Sequence, residues 1–101
     1  MKKIINGKKY DTDTAKPVVE WNNGRNYTDF GWCSETLYRK RTGEFFLHGQ
    51  GGARSIYGKW VGDCVCNGED ISPLSLEEAK EWAEENLSAD KYEEIFGEVE
   101  E

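Results

Sequence analysis

Four side chains stand out for the chemistry they could share: Cys33, His48, Cys64 and Cys66. Three thiols and one imidazole are the donor set of a Cys3His zinc site. Cys64 and Cys66 lie two positions apart, so in an extended segment both point to one side and can share a metal. Cys33 and His48 fall on one face of a hairpin expected over residues 30–50. Zinc held by these four would be structural, because four protein ligands leave no open position for a substrate. It would also pin the glycine-rich stretch 49–70, which has few apolar anchors, and small domains often rely on such a staple. Two points weigh against it. The C-x-C spacing departs from the usual pair of cysteines two to four residues apart. The expected register leaves Cys33 four positions from Leu37, the partner of His48, which is about 13 Å along a strand. One metal then requires a bulge, a bend near Gly31 or another register, and Asp63 is an alternative to His48 as fourth ligand. The competing reading is three thiols without a metal and a hydrogen-bonded histidine.

Catalytic chemistry has less support. His48 is the one histidine, and the chain carries no nucleophile elbow, Walker motif or HExxH. No enzymatic activity is expected. The run Gly49-Gln50-Gly51-Gly52 follows a strand but opens no helix, so it lacks the setting of a phosphate loop.

The elements that must position these residues read as follows. Lys3-Ile4-Ile5, Asn6-Gly7 and Lys8-Lys9-Tyr10 form a hairpin over residues 2–12 with a type I′ turn. Residues 15–22, with Pro17, Val18, Val19 and Trp21, fit an edge strand. A loop runs from Asn22 to Asp29. Residues 30–50 form the main hairpin. A two-residue Thr42-Gly43 loop sets Tyr38 opposite Leu47 and Leu37 opposite His48. Phe30, Trp32, Tyr38, Phe45 and Leu47 then share the core face, and Cys33, Leu37, Phe46 and His48 the other. Residues 53–62 read as a helical turn or irregular segment. Residues 62–73 read as a loop or a tight hairpin around Asn67-Gly68. Ser75 and Glu78 make a capping box for a helix whose stripe is Leu76, Ala79, Trp82, Ala83 and Leu87. A second helix carries Tyr92, Ile95 and Phe96 and ends at Gly97, with fraying expected over 99–101. The fold class expected is α+β: a small antiparallel sheet from hairpins 2–12 and 30–50, with two C-terminal helices packed on one face. One domain is expected over residues 1–101. Aromatic content of 13% supplies much of the area such a small core can bury.

The charge is unevenly placed. Residues 1–68 hold eleven basic and seven acidic side chains, a balance of +4, whereas residues 69–101 hold two basic and thirteen acidic ones, a balance of −11. One reading is a solvated acidic helix face. The sharper reading is a surface that docks on a basic partner, with Glu77, Glu81, Glu84 and Glu85 as candidate partner-binding residues. Direct nucleic-acid binding is disfavoured, because the acidic segment repels phosphate. The chain has no run near the roughly 18 apolar residues of a membrane span, and MKKIINGKKY lacks the apolar core of a signal peptide. A cytoplasmic protein with reduced thiols and no membrane partner is expected.

Four segments carry a resemblance over nearly the whole chain: KKYDTDTA (8–15), ETLYRKRTGEFFLHGQGG (35–52), ISPLSLEEAKEWAEENL (71–87) and DKYEEIFGEV (90–99). In them the chain resembles a family of small acidic proteins carried by streptococcal and other Firmicute phages and mobile elements. Phage proteins of this type include anti-CRISPR inhibitors of the type II effector nuclease, one of them described as a zinc protein. The resemblance implies a stoichiometric inhibitor that binds the host type II CRISPR effector and blocks DNA loading or cleavage. It carries over no interface residue. The alternative is an acidic accessory module acting on another host enzyme.

Overall fold

A computed structural model describes residues 1–100; Glu101, part of the segment expected to fray, lies outside the described residues. Among the described residues the chain forms strands β1 (Lys2–Ile5), β2 (Lys8–Asp11), β3 (Lys16–Asn22), β4 (Cys33–Arg39), β5 (Phe45–Gly51), β6 (Lys59–Val61), β7 (Cys64–Cys66) and β8 (Gly68–Leu74), then helices α1 (Leu76–Asn86) and α2 (Ala89–Phe96). Strands β3-β4-β5-β8 make one antiparallel sheet in that order, flanked by the separate ribbons β1-β2 and β6-β7. This is the expected α+β class.

The sheet is covered on both faces. Leu37, Phe45 and Leu47 meet Ala79, Trp82 and Ala83 of α1, with Phe96 of α2 packed alongside. The opposite face carries Phe46 and Ile71 against Tyr10 of β2. Tyr10 meets Phe46 edge-on at 5.6 Å, and Tyr38 stacks on Phe46 at 5.1 Å. Asn6 and Gly7, at φ 51° and 76°, supply the left-handed pair that the β1-β2 turn requires.

The main hairpin differs from its expected register. Lys40 N donates to Glu44 O at 2.8 Å, and Gly43 sits at φ +90°, so the loop is three residues long, closed by a glycine in the left-handed region. Leu37 therefore pairs with Leu47, and Tyr38 with Phe46. A one-residue slip exchanges the faces. Leu37 lies fully buried under α1, while Tyr38 joins Phe46 and His48 on the other side. Phe30 is 65% exposed and precedes the strand, and Trp32 is half-buried in the preceding loop, so neither belongs to the core face.

Two further expectations are corrected. Residues 62–73 hold the fourth sheet strand, β8, and the tight turn falls at Gly62-Asp63 between β6 and β7, not at Asn67-Gly68. Leu76 is 53% exposed and leaves the α1 stripe to Ala79, Trp82 and Ala83. Pro17 lies on the edge strand β3 beside a bulge, where its missing N–H costs the sheet nothing.

Candidate functional site

The acidic face is built by α1. Ser75 Oγ accepts from Glu78 N at 3.1 Å, and Glu78 Oε1 accepts from Ser75 N at 3.0 Å, the reciprocal capping box that starts the helix. Buried Ala79, Trp82 and Ala83 fix its rotation. At 100° per residue, Glu77, Glu81, Glu84 and Glu85 then fall within an arc of roughly 100° on the far side. All four are exposed, and none is ion-paired among the described residues. With every other charge on the arc of the same sign, the face presents an unneutralised negative strip.

Beneath α1 lies a group the sequence reading did not single out. Glu35 on β4 is 8% exposed. Its Oε1 accepts from Trp82 Nε1 at 3.0 Å, and its Oε2 accepts a short hydrogen bond from the Tyr57 hydroxyl. Tyr57 reaches it across Gly49, where a Cβ would lie 1.8 Å from Tyr57 Cζ. Burial first, then the bond to Glu35, push the Tyr57 phenol far above its ordinary value. The trio joins α1, the central sheet and the 53–58 turn. The hint in sequence was Glu35 itself, a charge between apolar strand positions.

The four zinc-candidate residues are not gathered into one site among the described residues; only Cys64 and Cys66, two apart on β7, share a face. Cys33 pairs with Gly51 on the helix side of the sheet, whereas His48 pairs with Thr36 and Ile71 on the opposite side. His48 Nε2 lies 2.8 Å from Glu69 Oε2 instead. Cys33 is buried, and burial, with the Glu35 carboxylate second, pushes its thiol up, towards the protonated and unreactive form. Cys64 and Cys66 sit exposed on β7, with Asp63 in the turn before them. All three cysteines are free thiols, and no three His, Cys, Asp or Glu among the described residues gather in a metal-holding group. The stretch expected to need a metal is tied by hydrogen bonds: Gly52 N to Trp32 O at 2.8 Å, Arg54 N to Phe30 O at 2.7 Å and Ser55 Oγ to Gly52 O at 2.7 Å.

A second exposed surface lies at the end of the sheet away from the β4-β5 turn. An open groove of about 800 Å³ is lined by Trp21, Arg25, Phe30, Arg54 and Ile56 among others. Ile56 is 82% exposed. Arg25 is 3.5 Å from Asp29, while Arg54 has no ion-pair partner among the described residues. Exposed aromatic and arginine side chains are the composition of protein-binding centres. With Phe30 expected on the core face of the main hairpin, no signal in the sequence pointed to this surface.

No protein-family model, curated protein or solved structure matches this chain. No helix among the described residues is long and apolar enough to cross a membrane.

Proposed function

We propose that this chain is a stoichiometric protein inhibitor that lays the outer face of α1 on a basic surface of its target. It acts by binding and not by turnover. The target we assign is the one the sequence resemblance implies, a type II CRISPR effector nuclease. Its guide–target channel is positively charged, and an acidic strip there competes with the nucleic acid backbone. The observation that carries the reading is the strip itself: Glu77, Glu81, Glu84 and Glu85 stand exposed and unpaired on a helix held rigid by Trp82 and its capping box. A rigid presentation loses less conformational freedom on docking.

The test is a target-DNA cleavage assay with a streptococcal effector and guide, the protein being added before or after the DNA. Inhibition only when it is added first means blocked DNA loading, and inhibition in either order means a blocked nuclease step. Full cleavage by several orthologs at excess protein removes the proposal. The second reading, an accessory module acting on another enzyme, is favoured by one observation, the exposed pair Phe30 and Ile56 beside Arg54. A basic and apolar end would engage a different kind of surface from that sought by α1.

A further inference from the structure

The β6-β7 ribbon presents half of a metal site. Gly62 at φ +61° opens the two-residue turn, and Asp63 has no positive φ, which is the type II′ pattern. Val61 pairs with Cys64, Trp60 with Val65 and Lys59 with Cys66. Paired residues share a face, so Cys64, Cys66, Val61 and Lys59 stand on one side and Trp60 and Val65 on the other. In a ribbon closed by this turn, Val61 and Cys64 exchange the hydrogen bonds next to the loop. By the alternation of an antiparallel ladder, the Val65 N–H and C=O then point away from β6. Among the described residues no strand pairs with that outer edge of β7.

We propose that β7 pairs with β7 of a second copy about a two-fold axis at Val65, and that Cys64 and Cys66 of both copies bind one zinc ion. Pairing of Val65 with Val65 of the partner satisfies the two outward backbone groups on each chain. Cys64 then faces Cys66 of the partner in a pair not bridged by hydrogen bonds, where strands approach most closely, with Cα atoms about 4.5 Å apart. Four thiols so arrayed on one face supply the complete tetrahedral set that a single chain lacks, at Zn–S distances of about 2.3 Å. Lys59, the register partner of Cys66, stands on the same face of the ribbon as the two thiols. The other face brings two copies of exposed Trp60 and Val65 into one apolar row. Three residues of edge are too few to hold a dimer by backbone pairing alone, so association requires the metal.

Zinc titration followed by light scattering and metal analysis tests this. The expected result is a monomer without metal, a doubling of mass at half an equivalent of zinc, and reversal by a chelator. Cobalt(II) in place of zinc is expected to give thiolate charge-transfer absorption and the strong visible bands of tetrahedral coordination. Cys64→Ser and Cys66→Ser are each expected to abolish the mass change, while Cys33→Ser leaves it. Val65→Pro keeps both thiols and the β6 ladder, since the Val65 N–H points outward, but blocks the edge, and it is expected to abolish dimerisation. One zinc per monomer, no zinc uptake, or zinc-driven dimers of Val65→Pro would each overturn the proposal.

Discussion

Trp82 Nε1 donates to the buried carboxylate of Glu35 across 47 positions of sequence, at 3.0 Å. With the Tyr57 hydroxyl on the second oxygen, the carboxylate has a partner at each end. Among the described residues no buried side-chain polar atom is left unpaired. A half-satisfied buried carboxylate costs far more than a satisfied one returns. Trp82→Phe keeps an aromatic side chain, though a smaller one, and removes the donor. It is expected to destabilise the fold by about 1–3 kcal/mol, read from the urea midpoint at unchanged slope. An unchanged midpoint would mean that the bond does not hold α1.

The same trio sets an alkaline limit. The Tyr57 phenol is held above its ordinary value in the folded chain. Unfolding therefore releases a group that ionises more readily, and stability is lost as pH rises past the ordinary tyrosine range near 10. Below that range the phenol is neutral in both states and contributes no pH dependence. Tyr57→Phe is expected to be less stable at neutral pH and to lose less additional stability above pH 10. Parallel alkaline profiles for the two proteins would refute the link.

At the acid end the Lys3–Asp70 pair, 2.6 Å apart, ties the β1-β2 hairpin to β8. Its hydrogen bond from Lys3 holds the Asp70 carboxyl below its ordinary value. The contribution is complete above that ordinary value, near 4, and is lost as pH falls through the lower folded value. Both side chains are about two-fifths exposed, so the effect is small, under about 1 kcal/mol. Asp70→Asn is expected to flatten the acid limb of stability below about pH 4 relative to the parent. An acid limb unchanged by Asp70→Asn would show the pair contributes nothing.

The main hairpin shows how far the sequence could be read. Its existence, its antiparallel pairing and the helices that cover it follow from alternation and capping. Its register did not, because Thr42-Gly43 fits a two-residue loop as readily as Lys40 to Glu44 fits a longer one closed by Gly43. That single residue exchanged the faces of Leu37 and Tyr38 and separated Cys33 from His48. The acidic arc of α1 was legible because helix period alone places it. Glu35, Tyr57 and Gly49 were not, since their meeting joins segments far apart in sequence. The register has a direct test. Leu37→Ala is expected to cost about 2–5 kcal/mol, because Leu37 is fully buried. Phe30→Ala, at an exposed loop position, is expected to stay within about 0.5 kcal/mol. Equal costs in thermal melts would return Phe30 to the core.

The acidic strip and the groove beside Phe30, Arg54 and Ile56 make different demands on a partner, and charge reversal separates them. Glu81, Glu84 and Glu85 make no ion pair among the described residues and lie beyond the first turn of α1. Changing all three to Lys leaves the favourable first-turn acids Glu77 and Glu78 in place, so the fold is expected to survive. Inhibition of the effector is expected to fall by at least tenfold, and the parent's inhibition is expected to weaken with added salt while the variant's does not. Phe30→Ser with Ile56→Ser is expected to leave inhibition unchanged. If the serine pair abolishes inhibition and the lysine triple does not, the target binds at the groove end, and α1 serves only to cover the sheet.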